Sequence, residues 1–199
     1  MTFYIILLFL CTYLICSINP AIIICKQKTG EDIRKLGSGN AGTANAMRVL
    51  GRVLGTVVII LDIAKVLGSY FVAIKLTKAF GYTVEMTTFK NTFILSAIIG
   101  HCYPLYYGFK GGKGVVVGMT LMALIEPKIV MICIISGLIV MALTRTVAIG
   151  TISGTLLFFV ISLFNGCDYI VGVTIAVIIV MFKHRWNIQR ILTGQEHKF

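Results

Sequence analysis

The chain has 199 residues, 58% of them hydrophobic and 13% charged, with a mean hydropathy of +0.96. A soluble domain of this length has nowhere to hide so much apolar surface, so the composition excludes a water-soluble globule and implies a helical bundle in a membrane. The formal charge of +11 sits on residues flanking the apolar runs, which fits anionic lipid heads and charged substrates better than nucleic acid, and no nucleic-acid partner is expected.

Apolar runs predict seven spans, near 3–25, 53–75, 90–107, 115–126, 128–143, 147–164 and 169–182. The first lacks a basic leader, and its basic cluster follows the apolar run, so it reads as a retained span rather than a signal peptide. The fourth and fifth are short, and the break between them rests on Glu126-Pro127-Lys128; a six-span reading stays open. The fold class expected is therefore all-α: a polytopic membrane protein, a bundle of about seven transmembrane helices forming one domain over 1–199.

With seven spans, one side collects Lys26, Lys28, Arg34, Lys35, Arg48, Arg52, Lys110, Lys113, Arg145, Lys183, Arg185, Arg190 and Lys198. The other side collects Lys75, Lys78, Lys90 and Lys128. Basic loops mark the cytoplasm, so the N-terminus is expected outside and the C-terminus inside. Cys11, Cys16, Cys25, Cys102, Cys133 and Cys167 form no C-x-x-C pair, so neither a metal site nor a disulfide framework is expected.

Three glycine- and donor-rich segments fall on the basic side. The first runs from Gly37 through Ser38, Gly39, Asn40, Gly42, Thr43 and Asn45 to Arg48, where glycines permit tight turns and a nest of backbone amides beside a guanidinium suits phosphate. The second, Gly108-Phe109-Lys110-Gly111-Gly112-Lys113-Gly114, follows Gly100-His101 and Pro104. It fails the nucleotide P-loop test, because Tyr107 stands at the first glycine position and Gly114 follows the lysine. The third, His184-Arg185-Trp186-Asn187-Ile188, ends the last span and continues to Arg190, Gly194 and Glu196. Asp62 and Lys65, three apart on one helix face, read as a bundle-facing pair near the cytoplasmic end. Together the loops imply one cytoplasmic anion site.

These segments resemble the PlsY family, the bacterial acyl-phosphate:glycerol-3-phosphate acyltransferases. Ser38, Gly39, Asn40, Gly42, Asn45 and Arg48 match its first motif. Gly100, His101, Pro104 and Phe109 through Val115 match its second, and His184, Arg185, Asn187, Ile188 and Arg190 its third. The resemblance implies transfer of a fatty acyl group from acyl phosphate to the 1-hydroxyl of glycerol 3-phosphate, giving lysophosphatidic acid and phosphate, with no cofactor. It also implies membrane lipid as surroundings and the soluble enzyme that makes acyl phosphate as a partner. Carried over by position, Ser38, Arg48 and Lys113 are the catalytic group, engaging the acyl-phosphate group and carbonyl oxygen. Gly39, Asn40, Gly42, Asn45, His101, Lys110, Gly111, Gly112, Gly114 and Arg145 are expected to line the substrates, and His184 and Asn187 to hold glycerol 3-phosphate.

The chain offers no Ser-His-Asp triad and no H-x(4)-D motif, and an acyl phosphate is already activated, so positioning and charge stabilisation are expected without a protein nucleophile. It departs from the family pattern at Thr43-Ala44, Val66, Val116-Val117 and Ala148, where hydroxyls or a glycine are usual. Two other readings stay open on sequence alone: a transporter of a phosphorylated solute, and a paralogue that binds acyl phosphate without turnover.

Overall fold

Proline and glycine cut the apolar runs into the elements observed. The computed structural model describes residues 2–79 and 85–198, and among them every regular element is helical. The helices are α1 (Thr2–Cys16), α2 (Pro20–Thr29), α3 (Thr43–Ala79), α4 (Met86–Cys102), α5 (Val115–Ile125), α6 (Pro127–Thr144), α7 (Val147–Phe164), α8 (Ile170–Lys183) and α9 (Arg185–Leu192). Short 3-10 turns lie at Ile33–Lys35 and Leu105–Tyr107.

The first predicted span runs as one apolar stretch, Thr2–Thr29, with a local break in its helix at 17–19. Pro20 has no amide hydrogen to give and opens α2, so α1 stops at Cys16. Asn19 caps α2 by accepting from the Ile22 amide at 3.1 Å, and its Nδ2 donates to the Ala41 carbonyl at 3.0 Å. The predicted second span begins where expected, just past Gly51 (φ 85°, ψ 170°), a conformation glycine adopts at little cost, and a short helical arm from Thr43 precedes it. The arm 43–50 folds against the shaft beyond, because Gly55 has no Cβ to collide with Met47. The third span ends at Cys102 rather than near 107, since Tyr103 precedes Pro104 and is driven out of helical geometry (φ −133°, ψ 63°).

The break at Glu126-Pro127 falls where the sequence placed it. α5, with 11 residues, rises only about 16 Å, roughly half the hydrocarbon thickness.

α4 is the central helix. It packs against α1, α8 and α5, and it carries the buried Ser96 and His101, polar residues that lipid would not tolerate. α6 and α7 are the outer pair. They expose Ile132, Ile135, Leu138, Ile139 and Leu143, and Leu156, Val160 and Leu163, as helices facing hydrocarbon do.

Polar ties sort the bundle into two ends. At one, the Tyr4 and Thr77 hydroxyls pair, Lys90 meets Asp168 at 3.1 Å, and the Gly172 amide donates to Asn91 Oδ1 at 2.6 Å. At the other, Lys183 Nζ donates to the Cys102 carbonyl at 2.8 Å, and Arg34 reaches the Tyr107 carbonyl at 2.7 Å. The connections 30–42, 103–114 and 183–198 share this second end, which brings the three donor-rich segments together.

α6 and α7 approach through Gly137, Gly150 and Gly154, where a Cβ on Gly150 would lie 2.6 Å from Met141 Cβ. A Gly150→Leu substitution is expected to cost about 2 kcal/mol or more through overpacking. It should lower the unfolding temperature in detergent by several degrees, read by a thiol-reactive dye on the buried cysteines.

Candidate active site

The first loop is held from behind by one side chain. Asn45 is fully buried; its Oδ1 accepts from the Ser38 amide at 2.8 Å, while Nδ2 donates to the carbonyls of Ile33 at 3.2 Å and Leu36 at 3.0 Å. Gly37 and Gly39 take left-handed φ values of 57° and 72°, and the Gly39 amide returns to the Leu36 carbonyl at 3.0 Å. The loop therefore spends the Ser38 and Gly39 amides on itself. Ser38 Oγ, the Asn40 amide and the Arg48 guanidinium keep no protein hydrogen-bond partner among the described residues, with Ser38 and Arg48 exposed.

The second loop behaves the same way. The Gly111 and Gly112 amides donate to the Cys102 and His101 carbonyls, each at 3.2 Å, tucking the loop under the end of α4. A Cβ at Gly111 would strike the His101 carbonyl and Pro104, and one at Gly112 would strike His101 Nε2, with the Ala41 carbonyl 2.9 Å away. Gly114, at φ 84°, turns the chain into α5. The glycines serve close packing. Four amides of the expected nest, those of Ser38, Gly39, Gly111 and Gly112, are thereby taken by the protein itself, which leaves anion contact chiefly to side chains, the Asn40 amide and helix starts.

The third segment supplies a polar chain. Lys113 Nζ hydrogen-bonds Asn187 Oδ1, Asn187 Nδ2 donates to Glu196 Oε1 at 2.7 Å, and Arg190 Nε donates to Glu196 Oε2 at 2.8 Å. α9 leaves α8 at a 55° bend, which carries Asn187 and Arg190 over Lys113. Burial lowers the Lys113 amine to about 8, and Arg190, Arg48 and Lys183 press the same way against the opposing Glu196. The first-loop guanidinium and the third-segment cations are thus within electrostatic reach of one ammonium. His184 is buried within electrostatic reach of Lys113, and its Nδ1 lies 2.9 Å from the Val180 carbonyl. A carbonyl only accepts, so the ring proton sits on Nδ1 and Nε2 carries a lone pair.

The chain has close relatives in sequence and fold. The family described as glycerol-3-phosphate acyltransferase matches residues 6–194. The chain is 38% identical over 200 residues to a glycerol-3-phosphate acyltransferase of Listeria monocytogenes, covering 100% of this chain and 98% of the relative. It is 35% identical over 191 residues to that of Aquifex aeolicus, covering 94% and 95%. The chain belongs to the glycerol-3-phosphate acyltransferase family. Crystal structures of PlsY, an integral membrane glycerol 3-phosphate acyltransferase, match it in two forms. The glycerol 3-phosphate form has a TM-score of 0.85 at 31% identity, and the lysophosphatidic acid form 0.82 at 30%, each covering 98% of this chain and 95% of that one.

Within this acyltransferase frame the expected residues separate into three groups. Ser38, Asn40, Arg48, Lys110 and Lys113 present side chains around the two loops, with His184 and Asn187 across from them. Asn45, Gly39, Gly111, Gly112 and Gly114 shape the loops, and Gly42 lets the Asn40 side chain fold close over the start of α3. Arg145 makes up the third group. It caps α6 in a left-handed turn (φ 52°), exposed, and its guanidinium has no partner among the described residues. Near Ala148, Thr144, Thr146 and Thr151 each donate to a nearby backbone carbonyl, Thr151 to that of Ala148 itself at 3.0 Å. Val117 is core, and Thr43 Oγ1 is buried without a partner.

Sequence reasoning missed Arg34, Asp32 and Asn19 as organisers of the site, and used Glu196 only as a motif continuation. Asp32 grips Arg34 with both oxygens at 2.6–3.0 Å, and that hydrogen bonding holds its carboxyl below the usual range. Arg34 NH1 then donates to the Tyr107 and Lys110 carbonyls at 2.7 and 3.0 Å, stitching the first loop to the second along a cleft of about 450 Å³. Spacing three residues before Gly37 gave no sign of this, because the acceptors are backbone atoms far along the chain. Arg34→Met is expected to speed amide exchange in 31–42 and 105–112 by about tenfold, equivalent to about 1.4 kcal/mol of local stability, and to leave exchange in α6 and α7 unchanged.

Proposed function

We propose that this chain transfers a fatty acyl group from acyl phosphate to the 1-hydroxyl of glycerol 3-phosphate, releasing lysophosphatidic acid and inorganic phosphate. The observation that carries the reading is the meeting of Arg48, Lys113, Asn187 and His184 at one end of a membrane bundle whose solved relatives are a glycerol 3-phosphate form and a lysophosphatidic acid form. Both substrates are anionic at the reacting end, and unpaired cations with hydroxyl and amide donors suit them.

Ser38, Arg48 and Lys113 act on the acyl phosphate, with Arg48 and Lys113 binding its phosphate and Ser38 Oγ donating to the carbonyl oxygen. His184 and Asn187 hold glycerol 3-phosphate, the His184 Nε2 lone pair accepting from a glycerol hydroxyl. Asn40, Lys110 and Arg145 add donors at the rim, while Gly39, Gly42, Asn45, Gly111, Gly112 and Gly114 keep the loops in register. The hydroxyl oxygen attacks the acyl carbon, the bond from that carbon to the phosphate oxygen breaks, and the departing phosphate carries off the proton. No protein nucleophile and no cofactor enters this scheme. Acyl phosphate being activated, the site's work is to hold two anions close and to neutralise charge as it moves to the leaving group.

The active unit is a single domain over 1–199, in a bacterial plasma or inner membrane with the N-terminus outside and the C-terminus in the cytoplasm. The excess of lysine and arginine at the site end supports that orientation. It also faces the site toward a soluble enzyme that makes acyl phosphate. A C-terminal fusion to a reporter that fluoresces only in the cytoplasm should therefore light up, and a dark fusion with an active periplasmic reporter would reverse the topology.

Purified protein given acyl phosphate and labelled glycerol 3-phosphate in detergent is expected to form labelled lysophosphatidic acid with equimolar phosphate. Absence of product from the wild type would sink the enzyme reading; solute uptake by proteoliposomes without acyl transfer would favour a transporter. Because burial lowers the Lys113 amine to about 8, its positive charge is present below that pH and is lost above it. The wild-type kcat/KM should fall as pH rises through about 8. Lys113→Arg, whose guanidinium stays charged, should lose that alkaline limb, and Lys113→Met should cost about a hundredfold or more at pH 7.

A further inference from the structure

Lys65 takes no part in the scheme above, yet it is buried beside the site with its ammonium held on three sides. Its Nζ donates to the Ile18 carbonyl at 2.8 Å and lies 2.8 Å from Asp62 Oδ1 and 2.9 Å from His101 Nδ1. An ammonium cannot accept, so His101 Nδ1 is the acceptor and the ring proton resides on Nε2. Asp62 would impose the reverse. Its Oδ1 lies 3.6 Å from the same nitrogen, and a carboxylate can only draw a proton toward itself. The ammonium, closer at 2.9 Å and lying between them, decides the tautomer. Lys183, reaching in from α8, is the other charged group facing the ring, and it is held by the Cys102 carbonyl and the Tyr103 ring.

His101 is only 4% exposed, and its Nε2 has no hydrogen-bond partner among the described residues. That nitrogen lies against Gly112, beside the Ala41 carbonyl, where the first and second loops meet. Nε2 is not among the sealed unpartnered polar atoms, so a donor left open at the seam of the two donor-rich loops is within reach of a ligand.

We infer that Lys65 is a positioning residue that fixes His101 as the Nε2–H tautomer, so that the ring gives a hydrogen bond to a substrate phosphate oxygen at the loop seam and does not act as a base. The inference rests on the acyl-transfer reading for the identity of the oxygen; the tautomer itself does not depend on it.

The test starts with wild-type protein labelled with 15N in histidine and reconstituted in lipid, the His101 signals being assigned by their loss in His101→Gln. A protonated Nε2 and a bare Nδ1 are expected without substrate, with the Nε2 signal shifting when glycerol 3-phosphate or a non-hydrolysable acyl phosphate analogue is added. In Lys65→Met the pattern should reverse, with the proton drawn to Nδ1 by Asp62, and kcat/KM should fall about ten- to a hundredfold.

Two double variants separate positioning from folding, since each removes the carboxylate left unpaired. Asp62→Asn with Lys65→Met offers Nδ1 an amide donor, and should regain both the Nε2–H tautomer and most of the activity. Asp62→Leu with Lys65→Met offers none, and should fold equally well yet stay about tenfold slower. A wild-type ring protonated on Nδ1, or double variants of equal activity, would overturn the inference. The substrate-free spectrum reads the tautomer whether or not the wild type turns over, so failure of the acyl-transfer reading would be seen separately.

Discussion

The bundle depends on where one ammonium goes. Lys65 is buried in α3, and an unpaired charge there would cost several kcal/mol. Its acceptors come from three directions: Asp62 from its own helix, His101 from α4, and the Ile18 carbonyl from the break between α1 and α2. The last exists because of Pro20 and Asn19. In an unbroken helix Ile18 would accept from the Ile22 amide, but that amide is taken by the Asn19 side chain, which frees the carbonyl for Lys65. Such a set contributes little net stability, since desolvation offsets most of the attraction. What it supplies is register, because α3, α4 and the break after α1 must meet at one height for the ion pair and both hydrogen bonds to form.

Both glycine loops hang from that junction. Asn19, next to Ile18, also holds the Ala41 carbonyl of the first loop; His101, bonded to Lys65, offers its own carbonyl to Gly112 of the second. Arg34 then closes the pair from outside. The loops are thus rigid by backbone bonding, and the side chains they carry need not be ordered by substrate. That economy explains the inward amides. A loop that bound phosphate through its backbone would leave those donors unmet whenever the site emptied, whereas exposed arginine and lysine heads are hydrated while they wait.

How much of this could be read from the sequence divides along physical lines. Periodicity and apolar length disclosed the all-helical membrane bundle, and positive residues disclosed which loops share an end, because both are sums over many residues. Helix ends were legible where proline sets them, at Glu126-Pro127, and illegible where a side chain completes the break, as Asn19 does. The side chains of the site were legible as types in motifs, and Lys113, Asn187 and His184 do meet. Asn45 looked like a ligand and proved to be a loop brace, since an amide beside glycines serves either purpose until its partners are known. Arg34 looked like one more cytoplasmic cation, and its partners are carbonyls more than 70 residues away, which no local pattern encodes.

The two histidines show how the surroundings divide labour between identical side chains. His184 is held by a carbonyl at Nδ1, so its free nitrogen accepts; His101 is held by an ammonium at Nδ1, so its free nitrogen donates. An acyl transfer between two phosphorylated molecules needs both kinds of contact, one toward a hydroxyl and one toward an oxyanion. It also needs the anions to be brought within bonding distance against their repulsion, about 1 kcal/mol per unit charge pair at 4 Å in water and several times that in a drier site. Arg48, Lys113, Lys183 and Arg190 gather around one point, with Glu196 alone opposing them. Burial does most to lower the Lys113 amine and the neighbouring cations add to it, so the charges are ill-served in the empty protein, and two phosphates relieve them. The same charges that weaken the empty site therefore draw the substrates in.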